Sequence, residues 1–360
     1  MAIGESMGNG EAINSVQHFD SIEDVLVVLQ REVVADEMRN LFRLDGIEYL
    51  WTSDGTMIPS ITSDFVSPYL YRGQTARHRP CLPSVFRGLS AVDHPQKLTP
   101  AERARCFVDR VKLEEFTLAL EMHPASRYAR EIGLRVHPYA LAQHYELPTD
   151  RIDLTQDHAV AAFFATNSCK NGVWLPERDG IGIVYRLHRN SFSEHYPDNL
   201  VCIGKQALPR PGEQKAYAFT LPLGFDFERF PMDIYTFQQV ESCGQRLNDH
   251  FKGGDSLFPP DVMAEVANTI KAATTLSRQV VTRILGLDKS PPLPATKALE
   301  MNETFLRMHS SVHVSDREPI AMNSSQRKRA QASVKRMRRT FLKGVGALAV
   351  RKVKPGEFAR

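Results

Sequence analysis

The chain has 360 residues, 45 Lys and Arg against 42 Asp and Glu, and a formal net charge of +3. Hydrophobic residues make up 42 % and charged residues 24 %, which excludes collagen, a coiled-coil rod and a wholly disordered chain; no run of about 18 uncharged apolar residues supports a polytopic membrane protein. The charge is unevenly spread: residues 326–360 hold 12 Lys and Arg and one acid, net +11, leaving −8 for residues 1–325.

In chain order, residues 1–18 are small, polar and Gly-rich and read as disordered, with no basic-then-apolar secretory leader. Ser21 and Asp24 open a predicted helix over 21–43, with Val25, Val28, Leu29, Val33 and Met38 at helical spacing. Gly46–Trp51 and Pro68–Arg72 read as strands, with Thr52–Gly55 as a turn. Pro100 and Glu102 start a helix to about Met122. Pro138–Glu146 reads as helical and stops before Pro148, and the Ala- and Phe-rich Ala159–Ala165 reads as a buried helix. Ile181–Leu187 and Ala216–Leu221 read as strands, and Pro259–Pro260–Asp261 opens a helix to about Leu285. Lys289–Pro294 is a Pro-rich linker. Gln326–Lys343 suits a basic amphipathic helix with Val334, Met337 and Phe341 on one face, able to meet nucleic acid, an anionic surface or the acidic body of the protein. Arg338–Gly344 is similar to a twin-arginine export signal but lies at the wrong end for one and reads as coincidence or a gene-boundary scar.

Strands and helices without strict alternation predict an α+β fold. We expect a single mixed domain with a small central sheet and surrounding helices, plus a basic tail, helical or disordered. The expected division is a disordered 1–18, a domain over 19–288 with an N-terminal helical extension, a linker and short helix over 289–325, and the tail over 326–360. Cys81, Cys106, Cys169, Cys202 and Cys243 are odd in number and scattered, so a disulfide framework and a zinc site are disfavoured, no metal is expected, and the setting reads as cytoplasmic.

Three separated segments stand out. The first is Tyr69–Leu70–Tyr71–Arg72–Gly73–Gln74 with Leu82–Pro83–Ser84–Val85–Phe86–Arg87. The second is Leu141–Ala142–Gln143–His144–Tyr145, Leu147–Pro148–Thr149 and Ile152–Asp153–Leu154–Thr155, leading into Ala159–Ala165. The third is Arg210–Pro211–Gly212–Glu213–Gln214, with Ser256–Leu257–Phe258–Pro259 further on. This ordered set resembles the FRG domain family over roughly residues 65–270. Two positions depart from the family pattern. Glu146 stands where the family usually has Gly, and Asp150–Arg151–Ile152–Asp153–Leu154 stands for the usual Arg-Leu-Leu-Asp-Trp.

The resemblance brings no established activity with it, so the candidates are weighed by their chemistry. Arg72, at a strand end beside Gly73 and Gln74, offers a planar fork for phosphate or carboxylate. Equally, it can be locked to Asp153 as a buried staple between core segments. His144, next to Gln143, can be a base, a donor or an ordinary hydrogen-bonded core residue. Asp153 and Thr155 share one face of a strand. Asp153 suits a site or a buried pair, and Thr155 a helix cap, a role open to Asp157 as well. Arg210 and Gln214 stand at i, i+4, and the resemblance implies that they converge with Arg72 and Asp153. Gln238–Glu241 fits an ordinary amphipathic turn. Gly-x-x-x-x-Gly-Lys is absent, and Gly-x-Ser-x-Gly occurs only as Gly4–Glu5–Ser6–Met7–Gly8, in the Gly-rich N-terminal stretch with no strand pattern before it, so a standard α/β-hydrolase is disfavoured. Three readings follow. One is a module binding a phosphorylated or nucleotide-like ligand through Arg72, Asp153 and Gln214, in a bacterial effector or defence setting. Another is an enzyme laid out like ADP-ribosyltransferases, using NAD and a late Glu. The third is a purely structural module.

Overall fold

The computed structural model describes residues 14–31, 47–51, 57–61, 68–92, 94–196, 198–204, 208–287, 295–340 and 350–352. The N-terminal part supplies β1 (Ser15–Phe19), α1 (Ile22–Arg31), β2 (Ile47–Trp51), β3 (Met57–Ile61) and β4 (Tyr69–Gln74). Three helices follow, α2 (Pro100–Glu121), α3 (Pro124–Glu131) and α4 (Pro138–Gln143), and then β5 (Arg151–Thr155) and α5 (His158–Thr166). A hairpin of β6 (Asn167–Lys170) and β7 (Val173–Pro176) leads to β8 (Ile181–His188), α6 (Arg189–His195) and β9 (Leu200–Cys202). Next come α7 (Pro209–Glu213), β10 (Ala216–Thr220), β11 (Asp233–Gln238), α8 (Glu241–His250) and α9 (Val262–Ala272). The last elements are β12 (Thr275–Ser277), α10 (Arg278–Leu287), α11 (Ala295–His309), β13 (His313–Ser315), α12 (Ser324–Thr340) and β14 (Val350–Lys352). The architecture is α+β.

Seven strands form the main sheet in the order β1-β11-β8-β4-β5-β10-β9. The β1–β11 pair is parallel and the other pairs are antiparallel. Alternation along each strand sorts side chains between two cores. Leu70, Ile152, Leu154, Tyr185, Leu187 and Phe219 pack on one face. Tyr71 and Val184 turn to the other, under α1 and α5, while Ala216 and Ala218 meet α2, α4 and α9 there. Helix α2 begins at a capping box: the Thr99 hydroxyl accepts from Glu102 N, and the Glu102 carboxylate accepts from Thr99 N at 2.8 Å.

Several sequence expectations need correction. The first four residues of β1, Ser15–His18, fall inside the stretch 1–18 read as disordered, yet β1 pairs along its length with β11. It is an edge strand with four of its five residues exposed, so it carries no apolar alternation to read. The single helix expected to run to Leu285 is two helices, α9 and α10. The β-branched pair Thr274–Thr275 interrupts it, and Thr275–Ser277 pairs in parallel with His313–Ser315. Of the helix expected over 21–43, the described part ends at Arg31; the rest lies outside the described residues. So do the Thr52–Gly55 turn, the Lys289–Pro294 linker, and Phe341 with the apolar part of the twin-arginine-like stretch up to residue 349.

The basic segment docks through its first turns. Ala330 and Val334 of α12 are buried, and the Arg329 guanidinium donates two hydrogen bonds to Glu265, at 2.7 and 2.6 Å. Upstream, the fully buried Glu115 carboxylate on α2 accepts from both terminal nitrogens of Arg317, at 2.6 and 2.9 Å, and from Ile320 N at 2.6 Å. The segment after α11 is thus tied to the body by a closed ion pair. Among the described residues no helix is long and apolar enough to cross a membrane.

Candidate functional site

β4 and β5 lie side by side in the middle of the sheet, but they are in register at one position only, Tyr71 opposite Thr155. Arg72–Gln74 and Ile152–Leu154 do not continue the ladder between them, and a cavity of about 310 Å³ is lined from both sides of this fork. Gly73 makes the geometry feasible. A Cβ there would stand 1.8 Å from the Ala161 carbonyl oxygen, so only glycine lets β4 pack this closely on α5. Gly73 lines the cavity, but the close approach it permits is that of another backbone.

Arg72 is only 8 % exposed. Its Nη1 donates to the Asp153 main-chain carbonyl at 3.0 Å, where the fork has removed a ladder partner. Its Nε is buried and has no partner. The staple between Arg72 and the Asp153 carboxylate, one of the two roles weighed for Arg72, does not form: among the described residues no ion pair joins them, and Asp153 is exposed. The reason is strand alternation. Arg72 leaves β4 on the side of Leu70, and Asp153 leaves β5 on the side opposite Leu154, so the two side chains start from opposite faces. Both still reach the cavity, because it opens at the fork itself.

Two further residues, His78 and the cationic Arg87, line the same cavity. Partial burial, then the charge of Arg72, lower the pKa of Arg87, while Cys81 and Asp153 oppose that shift. Gln74 accepts from the Cys81 thiol at 3.7 Å. Burial raises the Cys81 pKa, against the opposing pull of the Arg72 charge and its side-chain hydrogen bond, and the thiol stands behind the lining residues Arg72 and Gln74. Another wall is aromatic: Trp174 lies 5.7 Å from Phe164 and stacks on Phe258 at 5.1 Å. The Ser168 hydroxyl, buried beside them, has no hydrogen-bond partner.

α7 and α4 supply the remaining polar groups. Gln214 Oε1 lies 2.8 Å from His144 Nδ1, and Gln214 Nε2 donates to the Leu257 carbonyl at 3.0 Å. Thr155 Oγ1 donates to the Gln214 carbonyl at 2.7 Å and accepts from Asp157 N at 3.0 Å. The cap of α5 is Asp157, which accepts from Ala159 N at 2.8 Å, and not Thr155. Seven predicted residues, Arg72, Gly73, Gln74, His144, Asp153, Thr155 and Gln214, line one cavity.

Two predicted residues stand behind it. Gln143 Nε2 donates to the Arg151 carbonyl at 3.0 Å and ties α4 to β5. Arg210 Nη1 donates to the His144 carbonyl at 3.1 Å, and its guanidinium sits over the Tyr145 ring at 4.6 Å. Arg210 and Gln214 therefore meet on His144, not on Arg72. Gln239 is also structural; its Nε2 donates to the Thr75 and Ala165 carbonyls. Sequence reasoning missed His78, Trp174 and Ser168 as lining residues, and it quoted Arg87 only as part of a motif. Trp174 follows a hairpin turn at Asn171–Gly172 and carries no spacing signal toward the motifs. Among the described residues no group of three or more His, Cys, Asp or Glu is placed to hold a metal ion.

Fold and cavity together define an α+β protein with a cavity in the split of its central sheet. Residues 67–172 match the family model of the FRG domain, so the chain carries an FRG domain running from the start of β4 to the β6–β7 turn. Comparisons with curated proteins and with solved structures give no match.

Proposed function

We propose that this cavity binds a small phosphorylated, nucleotide-like ligand. The observation that carries the reading is Arg72, a buried guanidinium whose Nε–H is unpartnered on the wall of an open cavity. A buried donor on a cation stabilises an anionic oxygen strongly, because the charge is poorly solvated and the hydrogen bond is charge-assisted. Arg87 adds positive charge and His78 a further polar ring, and an anion between Arg72 and Arg87 would relieve their mutual repulsion. The Phe164–Trp174 wall offers a face on which a planar ring can stack. The exposed Asp153 carboxylate suits a hydroxyl or amino N–H of the same ligand. A volume near the bottom of the usual range of roughly 300–1,000 Å³ for small-molecule sites suits a mononucleotide or sugar phosphate.

Nothing in the site favours the NAD-using alternative: Glu213, the late acid, is exposed and outside the lining. The five free cysteines support a reducing, cytoplasmic setting. Contact with nucleic acid or an anionic surface would run through residues 326–360, where the charge supports it; an effector or defence role rests on the family resemblance alone.

Thermal unfolding of the full chain with inorganic phosphate, ribose 5-phosphate, AMP and adenosine tests the proposal. The phosphorylated compounds should raise the melting temperature in a concentration-dependent way and adenosine should not. Equal shifts with adenosine and AMP, or none with any phosphorylated probe, would overturn it.

A further inference from the structure

The hydrogen bonds around Gln214 determine which nitrogen of His144 carries the proton. Gln214 Nε2 donates to the Leu257 carbonyl, which can only accept. The amide is therefore oriented with Oε1 toward His144 Nδ1, and an amide oxygen can only accept. Nδ1 must then be the protonated nitrogen. The ring is 6 % exposed, and burial, the largest influence on it, outweighs Asp153 and Gln214 in holding it neutral. Nε2 is left as a lone-pair acceptor, buried, without a partner, in a residue on the cavity wall.

The ring is held in place from behind. Arg210 Nη1 fixes the His144 carbonyl, and the Tyr145 hydroxyl donates to Asp261 at 2.7 Å, beside the Arg210 guanidinium. Such support is what a positioned polar group needs to discriminate between ligands.

The cavity is thus lined by two nine-tenths-buried side chains, each with one unpartnered nitrogen and of opposite hydrogen-bonding character: Arg72 Nε as a charged donor and His144 Nε2 as a neutral acceptor. We propose that this pair sets specificity, with a phosphoryl oxygen of the ligand accepting from Arg72 Nε–H and a hydroxyl of the same ligand donating to His144 Nε2. The ligand class is a sugar phosphate or ribonucleotide with free hydroxyls. A phosphate ester lacking them would leave a buried acceptor unpaired, and sites built this way reject such analogues. Gln214 is a positioning residue that acts through the tautomer it imposes. This inference rests on the phosphate reading of Arg72 given above.

Two measurements on the full chain test it. Long-range 1H–15N NMR of His144 should show a protonated, pyrrole-type Nδ1 and a pyridine-type Nε2 at neutral pH, with Nε2 shifting when AMP is added. Calorimetry should show AMP binding about 3–10-fold more tightly than its 2′,3′-dideoxy analogue, the worth of one hydrogen bond. That preference should vanish in His144→Phe and shrink in Gln214→Leu. A protonated Nε2, or equal affinity for the two nucleotides while Arg72→Ala still weakens both, would overturn the role of His144 and leave the phosphate reading standing. Failure of AMP, ribose 5-phosphate and phosphate to bind at all would overturn both.

Discussion

Two buried charged side chains in this molecule contrast sharply. Glu115 on α2 is fully buried and closed: two nitrogens of Arg317 and the Ile320 N–H satisfy it within 2.9 Å. Arg72 on β4 is nearly as buried, yet its well-formed hydrogen bond goes to a main-chain carbonyl, with the Cys81 thiol as a weak neighbour, and its Nε is left without a partner beside a cavity. Burial is common to both, so burial alone does not mark a site. The distinguishing property is unfilled hydrogen-bonding capacity next to open space. Glu115 fastens the C-terminal segment to the body, while the capacity left on Arg72 is what the proposed anion would fill.

Variants can break this contrast, and the largest effect belongs to the closed pair. Arg317→Ala leaves a fully buried carboxylate without its cation, so urea unfolding should show a loss of about 3–5 kcal/mol. AMP affinity of the folded fraction should not change. A loss below about 1 kcal/mol would remove Glu115 from the architectural role. Gly73→Ala comes next. Its Cβ would collide with the Ala161 carbonyl, a backbone atom that cannot swing away, so a loss of about 2–3 kcal/mol is expected in the same assay. Wild-type stability of this variant would show that β4 can shift away from α5.

The acid response sharpens the same division. His123 Nδ1 caps α3 by accepting from Ala125 N at 3.1 Å, and burial holds the imidazole down to about 4. The unfolded chain titrates near 6.5. As the pH falls below 6.5 the unfolded state takes up protons first, so the stability present above 6.5 is lost progressively toward pH 4. His123→Asn keeps an acceptor at the cap and does not titrate. Between pH 7 and 5 it should lose about 1–2 kcal/mol less than wild type in urea melts, and an unchanged pH profile would contradict the assignment. The smallest effect is at Glu146, whose φ of +62° is left-handed and whose carboxylate meets Lys271 at 2.7 Å. Glu146→Gly relieves the backbone and loses an exposed ion pair. The net change should be a gain no larger than about 1 kcal/mol; a loss would mean that the ion pair outweighs the strain.

The position of Glu146 shows what was legible in the sequence. It was noticed because the resembling family usually has Gly there, and the left-handed backbone supplies the physical reason. Arg72, Gly73 and the helix after Thr155 were legible because their chemistry is local: a strand end, a close approach, an Ala-rich buried face. Whether Arg72 pairs with Asp153 stayed open in the sequence because it depends on how two strands diverge, which neither strand encodes alone. The i, i+4 spacing of Arg210 and Gln214 correctly put them together, but their shared target is the ring and carbonyl of His144. Trp174 and the Glu115–Arg317 pair left no trace in the sequence. The residues of that pair are 202 positions apart, and only the tertiary fold joins them. β1 was invisible because an exposed edge strand needs no apolar face.

On the proposed reading the open valence of Arg72 receives a ligand and is not unfinished architecture. Calorimetric titration of AMP into Arg72→Ala, beside wild type, decides between the two. An affinity at least about 10-fold weaker is expected, the worth of one hydrogen bond to a charged group. An unchanged affinity in a folded Arg72→Ala protein would contradict it.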